Sequence, residues 1–381
     1  MTRSQRITIG ILSFIAFSLA TALGIYAFQS LRSVAQTPLG PALPFIPTRS
    51  LPPTWTASPG PAPTQAQMGA ATLAPTMPLP TERSGPLCGG PMLMNVLVIG
   101  ADTRGDNYTY GLGDAIRLVR VDFMTPKVSV LEFPRDLWVE IPHIEDNLNG
   151  QDHEKLNQAY LYGQPGFKYW DDPSEGSGLT ALTLNKNFGA NIDHYITVNM
   201  RTFEHIIDAI GGIEVEIPNE EVAKTANLSV GTHLLNGPQA LKLARNRSGG
   251  SFERADNQNL VLCAVRKKLT SPQIVTQIPA LIETFQDNIR TDFTPEQLGQ
   301  LACLAAQMPP ENILLASFPS DLFKTTRVFD PVFDKRISIV EADFDILSDF
   351  VARFQAGTWP VLVPSNPSSG IDEEDAASIC Q

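Results

Sequence analysis

The longest apolar run of the sequence lies at its beginning. The 22 residues from Ile7 to Phe28 contain no charged side chain, and about 20 apolar residues are enough to cross the hydrocarbon core of a bilayer. Arg3 and Arg6 precede the run, and positive charge tends to stay on the cytoplasmic side. The pattern predicts a transmembrane anchor, with residues 1–6 in the cytoplasm and the remainder outside. A cleaved signal peptide is the alternative, although its apolar core is usually shorter, about 7–15 residues.

A proline-rich stretch follows, from Ser33 to Pro91. It holds 14 of the chain's 31 prolines. Because proline fixes φ and removes a backbone donor, the composition predicts an extended, semi-rigid spacer, although a disordered segment without a spacer role is equally compatible. At the other end, residues 365–381 include the acidic run Asp372 to Asp375 and are predicted to form a solvated tail.

Between these two stretches, residues 92–364 are the predicted folded domain, and the sequence alternates between strand and helix patterns over residues 91–320. Apolar runs and alternating positions predict strands at 95–102, 116–123, 127–136, 194–199, 213–218 and 313–318. Apolar residues spaced by three or four predict helices at 200–210, 235–247, 254–269, 273–289 and 294–308. We therefore predict one α/β domain outside the membrane, with a mixed central sheet flanked by helices.

Two of the predicted helices carry apolar side chains along one face. These residues are Phe203, Ile206, Ile207, Ile210, Leu260, Val261, Ala264 and Val265. Such stripes are usually ordinary core. The Gly211-Gly212 pair after the first of these helices predicts a left-handed stop.

Charge and composition narrow the class of function. The 381 residues carry a formal net charge of −12 without a basic block, which argues against a nucleic-acid-binding protein because phosphate affinity comes from clustered Lys and Arg. An anionic ligand would have to be held by local arginines. The motifs of serine hydrolases, P-loop proteins and HExxH metalloproteases are absent.

Four cysteines are present and none forms a CxxC pair, which argues against a zinc ribbon or a thioredoxin-like redox motif. An even number permits disulfides in an oxidising exterior. Cys263 and Cys303 lie on two predicted helices and are the first expected pair, which would leave Cys88 with Cys380.

Carboxylates and arginines gather at the ends of the predicted strands and helices. They are Asp102, Arg104, Asp114, Arg135, Asp136, Arg245, Arg247 and Arg254, with Gln258 one helical turn after Arg254. Ligands of α/β sheets bind at strand ends, and guanidinium groups bind phosphate oxygens bidentately. Two nearby carboxylates could hold Mg²⁺ together with a substrate phosphate. These carboxylates and arginines would suit the binding of a pyrophosphate with a divalent ion. The alternative is that they form ordinary surface ion pairs.

Six segments, in order, resemble the LytR-CpsA-Psr (LCP) family of bacterial envelope proteins. They are NVLVIGADTR (95–104), GDAIRLVRVD (113–122), VSVLEFPRDLWVEIP (128–142), KLNQAYLYG (155–163), FEHIIDAIGGIEVEIP (203–218) and LNGPQALKLARNR (235–247). The resemblance implies a phosphotransferase that moves a glycopolymer from a polyprenyl-pyrophosphate carrier to peptidoglycan. The lipid would lie in an apolar pocket between the sheet and the helices. A non-catalytic polyprenyl-phosphate-binding envelope protein is the alternative.

Position by position, the resemblance also implies roles. Asp102 and Asp114 match metal-binding carboxylates, for Mg²⁺ or another divalent cation. The residues implied for the pyrophosphate are Arg104, Arg135, Arg245, Arg247, Arg254 and Gln258. Arg135, Asp136 and Arg245 are the expected catalytic residues, with Asp136 as orienter or base. Lys155 and Asn157 match a KxN segment with a structural or peripheral role.

Two positions depart from the family pattern. Leu112-Gly113 stands where an Arg-Ser is common, and Asn257-Gln258-Asn259 stands where a second arginine and two glutamines are common. Arg117 or Arg120 could compensate, but the sequence does not place them.

Overall fold

The structure is a computed structural model and describes residues 29, 32–46, 85–103, 105, 107–145, 150–246, 251–275, 277–285, 288–331 and 334–360. The predicted cytoplasmic segment, the predicted anchor, the acidic tail and most of the predicted spacer lie outside these ranges. Within them, no helix has the length and apolar character needed to cross a bilayer.

The strands are short to medium in length. They are β1 (Leu93–Ala101), β2 (Gly113–Asp122), β3 (Lys127–Phe133), β4 (Trp138–Glu140), β5 (His153–Lys155), β6 (His194–Asn199), β7 (Ile213–Ile217), β8 (Gly231–Leu235), β9 (Arg290–Thr291), β10 (Ile313–Ser317), β11 (Lys324–Asp330) and β12 (Lys335–Glu341).

The helices surround these strands. They are α1 (Leu156–Tyr162), α2 (Glu175–Phe188), α3 (Met200–Ala209), α4 (Glu220–Ala226), α5 (Gly237–Ala244), α6 (Ser251–Leu269), α7 (Pro272–Val275), α8 (Ile278–Phe285), α9 (Pro295–Gln307) and α10 (Phe344–Ala356).

Six strands form the central sheet in the order β10-β3-β2-β1-β6-β9. β1, β2 and β3 are antiparallel neighbours, whereas β6 runs parallel to β1 and β10 runs parallel to β3. β4–β5, β7–β8 and β11–β12 are separate two-stranded pairs. The sheet is therefore mixed and flanked by helices, as predicted.

Side chains alternate between the two faces of the sheet, and each face has its own core. On the first face, buried residues of β1 and β2 such as Leu97, Ile99 and Leu118 pack with residues of α1, α2 and α10. On the second face, α9 covers Met94 and Val121 at one end of the sheet. A further core joins α3, α5, α6, β7 and β8.

Most predicted elements are present, but one predicted helix is wrong. Residues 273–289 form two short helices, α7 and α8, rather than one. Gly211 and Gly212 end α3 with φ of 77° and 79°, in the left-handed region expected of a glycine stop. Helix α2 was not predicted, because polar and small residues such as Ser177, Thr180 and Thr183 are buried with the apolar ones. A helix buried on several sides shows no apolar stripe in its sequence.

The first described part of the predicted spacer lies along the domain. The Leu39 N–H donates to the Phe293 carbonyl over 2.9 Å, and the Tyr195 hydroxyl donates to the Pro41 carbonyl over 3.0 Å. Leu43 and Ile46 pack against the first core. We call residues 39–46 the strap. These residues are attached to the domain and do not form a free spacer.

The expected disulfide pairing is wrong. Cys88 is bonded to Cys303, so neither Cys263–Cys303 nor Cys88–Cys380 exists. Cys263 is disulfide-bonded as well. The segment that carries Cys88 docks on the sheet, where the Leu87 N–H donates to the Phe123 carbonyl, and this docking brings Cys88 to α9.

Candidate functional site

Two predicted carboxylates meet where β1 and β2 separate. Ala101 pairs with Gly113 after a register shift in the ladder, and the Asp102 N–H donates to the Leu112 carbonyl over 2.8 Å. Asp102 therefore follows the end of β1, and Asp114 lies near the start of β2 beside it. Asp114 is buried, whereas the Asp102 side chain keeps 26% of its surface exposed. The edge of the sheet thus presents one buried and one accessible carboxylate.

The segment after β3 adds an arginine and a third carboxylate. The Arg135 guanidinium donates to the Asp114 carboxylate, and its Nε lies 3.3 Å from Oδ2 of Asp136. Lys155 Nζ donates to the other oxygen of Asp136 over 2.9 Å. A chain of ion pairs therefore runs from Lys155 through Asp136 and Arg135 to Asp114.

Lys155 reaches this chain because of the β4–β5 pair. In that pair Lys155 lies opposite Trp138, and the Leu156 N–H donates to the Leu137 carbonyl over 2.8 Å. The sequence interpretation gave Lys155 a structural or peripheral role. The structure places its ammonium group against Asp136, which is compatible with a structural role. The KxN resemblance was the signal in the sequence.

Arg245 approaches Asp102 from the other side. Asn236 and Gln239 form a capping box that begins α5, and Arg245 follows the last residue of this helix. Its guanidinium lies 3.9 Å from Oδ1 of Asp102. Two of the predicted arginines, Arg135 and Arg245, therefore converge on the two predicted metal-binding carboxylates.

The remaining predicted residues are only partly described. Arg104 and Arg247 lie outside the described ranges, and Arg254 belongs to α6 without a described side chain. Gln258 lies one turn further along α6, and its Oε1 is buried with no hydrogen-bond partner among the described atoms. The roles of these four residues stay predictions.

Arg117 lies between the sheet and α6. Its guanidinium lies 2.7 Å from Oε2 of Glu132 on β3 and donates to Oδ1 of Asn259 on α6 over 3.1 Å. Arg117 and Glu132 are 5% and 9% exposed. A guanidinium from β2 therefore reaches α6 beside the Asn257-Gln258-Asn259 run. Arg120 points elsewhere, since its Nε donates to the Gln355 carbonyl.

Part of the second face is apolar and incompletely covered. Its central side chains are partly exposed, unlike the buried residues of the first face: Val98, Ala115, Val119, Val130, Ile196 and Val198. Helix α6 lies on the same face over β2 and β10, where Asn259 accepts from Arg117 and Arg266 donates to the Ile313 carbonyl. We call this partly exposed apolar surface of the second face, next to α6, the apolar groove. Of the predicted helix stripes, Val261 and Ala264 are core, whereas Leu260 and Val265 stay partly exposed.

Tyr108 supports the loop between β1 and β2. Its hydroxyl donates to the Asn288 carbonyl and accepts from the Asn199 N–H over 3.3 Å. The Arg290 guanidinium lies 5.6 Å from the centre of its ring. Burial raises the pKa of Tyr108, so its hydroxyl stays a neutral donor and fixes the loop to β6.

The donor set fits Mg²⁺ only as part of a larger shell. Across the described part of the chain, no three His, Cys, Asp or Glu side chains are grouped to hold a metal. Mg²⁺ often binds one or two carboxylates and completes its shell with water and substrate phosphates. Asp102 and Asp114 are compatible with that mode, whereas a site made of protein ligands alone is not present in these ranges.

Comparison with known proteins gives a consistent family match. The LytR_cpsA_psr family model matches residues 91–332. A polyisoprenyl-teichoic acid–peptidoglycan teichoic acid transferase TagU from Oceanobacillus iheyensis is 31% identical over 213 residues, which are 55% of this chain and 61% of the relative. The TagU of Bacillus mycoides is 28% identical over 54% of this chain and 62% of the relative. The chain thus spans about six-tenths of the length of these curated relatives.

Solved structures share the fold. The crystal structure of TagT from Bacillus subtilis matches with a TM-score of 0.52 and 19% identity, over 72% of this chain and 95% of TagT. That of TagV from the same organism matches with a TM-score of 0.53 and 20% identity, over 69% of this chain and 97% of TagV.

Proposed function

This chain belongs to the LytR_cpsA_psr family, and we propose that it is a phosphotransferase of the cell envelope. Its donor would be a glycopolymer on a polyprenyl pyrophosphate, and its acceptor would be a peptidoglycan hydroxyl. The relatives named as teichoic acid transferases support this class of reaction. We place the domain outside the cell, behind an N-terminal anchor.

One observation carries the proposal: Arg135 and Arg245 converge on Asp114 and Asp102 at the edge of the sheet that borders the apolar groove. Guanidinium groups suit the oxygens of a pyrophosphate, and the groove offers an apolar surface for the lipid chain. A single diphosphate can therefore lie between the arginines while its lipid end enters the groove.

Asp102 and Asp114 would hold Mg²⁺ together with pyrophosphate oxygens, and the ion would offset the charge of the diphosphate. Arg135 and Arg245 stabilise the negative charge that develops on the leaving polyprenyl phosphate. In the reaction, the acceptor hydroxyl oxygen bonds to the sugar-bearing phosphorus as the bond from that phosphorus to the bridging oxygen breaks. The polyprenyl phosphate leaves with the bonding electron pair, and the hydroxyl proton passes to solvent.

Asp136 acts as an orienter of Arg135 rather than as a base. Its two oxygens are engaged by Lys155 and Arg135, and a carboxylate held between two cations is a poor proton acceptor. Lys155 thereby becomes a positioning residue for Arg135. The Arg135 guanidinium thus stays oriented toward Asp114 while negative charge develops on the leaving group.

The test uses the full chain in detergent with Mg²⁺, a polyprenyl-pyrophosphate-linked disaccharide and peptidoglycan sacculi. We expect wild-type protein to release polyprenyl phosphate and to attach the disaccharide to the sacculi. Arg135→Ala and Arg245→Ala should lower this rate by at least about 100-fold, and chelation of the metal should lower it as well. Arg327→Ala, an exposed arginine on β11, is the matched control.

Wild-type rates in both site variants would contradict the assignment. Lipid binding by the wild type without release from this or any other donor would favour the alternative, a non-catalytic binder. Circular dichroism spectra of the variants show whether a lost rate reflects lost folding.

A further inference from the structure

The loop between β1 and β2 carries a strongly exposed aromatic ring beside the candidate site. Tyr110 is 69% exposed, and its φ of 61° lies in a region that bulky residues rarely adopt. The next residue, Gly111, packs so tightly on Thr103 that a Cβ there would lie 2.3 Å from the threonine methyl carbon. Because Thr103 follows Asp102, the backbone next to Tyr110 passes beside the segment that carries the accessible carboxylate.

Tyr110 is held by a second loop, the one that follows α1. Its ring centre lies 6.3 Å from that of Phe167, with the planes tilted by 56°. A Cβ at Gly166 would lie only 2.6 Å from the Tyr110 hydroxyl oxygen, so the edge of the Tyr110 ring lies against the backbone of this loop. Phe167 itself packs edge-on against Tyr162 at 5.6 Å. We call Tyr110 and Phe167 the aromatic ledge.

One side of the ledge packs against the domain, and the other side faces solvent. Phe167 packs against the first core, whereas most of the Tyr110 ring faces solvent. An exposed aromatic ring on a residue with a sparsely populated backbone conformation lowers the stability of the fold. Such residues are typical of binding positions.

The ledge and the apolar groove lie on opposite sides of the two carboxylates. The groove belongs to the second face of the sheet, next to α6, and the ledge rests on the core of the first face. If the lipid end of a diphosphate enters the groove, the group on its other phosphate leaves toward Tyr110. This direction rests on the proposed function.

We propose that the aromatic ledge binds the sugar ring attached to the donor's diphosphate. Aromatic rings present a flat, amphipathic surface, and the C–H face of a pyranose stacks on such a surface while its hydroxyls stay in water. The stacked sugar holds the attached phosphorus in front of Arg135 and Arg245. Tyr110 is thus a specificity residue for a carbohydrate next to the phosphate.

The test compares two probes on the full chain in detergent with Mg²⁺: farnesyl diphosphate, and farnesyl diphosphate that carries one N-acetylhexosamine. Their Kd values are measured by calorimetry. We expect the sugar to tighten binding to wild-type protein by about 5- to 10-fold. Tyr110→Ala should remove this gain without changing the Kd of farnesyl diphosphate, and Tyr110→Phe should keep the gain. Phe329→Ala, which removes another exposed ring, is the matched control and should keep the gain.

Each of the following results would overturn the inference. Wild-type protein that binds farnesyl diphosphate without a gain from the sugar, or a gain that persists in Tyr110→Ala, overturns the ledge and leaves the proposed function standing. An effect of Tyr110→Ala on a muropeptide acceptor alone also overturns it. Wild-type protein that binds neither probe overturns the proposed function and the ledge together.

Discussion

Lys155 Nζ donates to Oδ1 of Asp136 over 2.9 Å, while Oδ2 of the same carboxylate faces Arg135. The lysine comes from a three-residue strand that pairs with β4, and the aspartate comes from the segment just before β4. The β4–β5 pair therefore sets the direction in which Arg135 points. If the proposed transfer takes place here, we therefore expect its rate to depend on this strand pair.

Replacing Lys155 tests this dependence. Lys155→Met removes one of the two cations at Asp136, so Arg135 loses a fixed orientation. We expect the transfer rate to fall by about 10- to 100-fold, with a small change in thermal unfolding, and Lys155→Arg to recover part of the rate. Lys186→Met, which breaks the exposed pair with Glu140, is the control. Equal rates in Lys155→Met and Lys186→Met would contradict the positioning role.

The buried pair of Arg117 and Glu132 makes a prediction about stability. Arg117→Leu leaves a carboxylate buried without its guanidinium, which should cost about 3–5 kcal/mol of unfolding free energy in a urea titration. Arg117→Leu combined with Glu132→Leu removes both charges and should lie within about 1–2 kcal/mol of the wild type. A double variant less stable than the single variant would show that this pair itself stabilises the fold.

Glu154 predicts a dependence of stability on pH. The side chain is fully buried, and burial, with the charge of Asp330 as the next cause, raises its pKa to about 7 from an ordinary value of 4.5. The folded state thus binds a proton that the unfolded state has released. The contribution is fully present below about pH 4.5 and is lost as the pH rises through 7.

Glu154→Gln measures this contribution, because glutamine resembles the protonated acid. The unfolding free energy of the wild type should fall by about 2–3 kcal/mol relative to the variant between pH 4.5 and pH 8. Glu311→Gln changes an exposed glutamate and should follow the wild-type curve. Parallel curves for wild type and Glu154→Gln would refute the prediction.

Gly40 tests the attachment of the strap. A Cβ at this position would lie 2.5 Å from the Thr291 carbonyl oxygen, so Gly40→Ala should destabilise the domain by about 1–3 kcal/mol. Gly299→Ala, on α9 with no atom within 4 Å of the new Cβ, should instead stabilise by up to about 1 kcal/mol. Differential scanning calorimetry distinguishes the two. If Gly40→Ala also releases the strap, adding Tyr195→Phe to this variant should lower the unfolding free energy little further.

The sequence indicated those helices and strands whose apolar residues recur with a regular period. Strands β1, β2, β3 and β6 show apolar runs or alternation, and α3 shows a one-sided stripe. The β4–β5 pair was missed because three-residue strands are too short for a period. The pairing of Cys88 with Cys303 was mispredicted because it depends on where a segment 215 residues away docks.

The site was predictable to the extent that its residues follow strand ends or a family motif. Asp102, Asp114, Arg135 and Arg245 were named from the sequence, and the structure brings them together. Arg117 could not be placed, because its partner Asn259 is 142 residues distant. Contacts of this range come from packing rather than from local pattern.

The strap has a consequence for the order in which the molecule matures. Leu39 and Pro41 leave the ribosome early, yet the groups that receive them, on Phe293 and Tyr195, are synthesised some 150 to 250 residues later. The contact of Leu39 can therefore form only after Phe293 has emerged, whereas the contact of Pro41 needs only Tyr195. A truncated product that ends before Phe293 lacks the first of these two contacts.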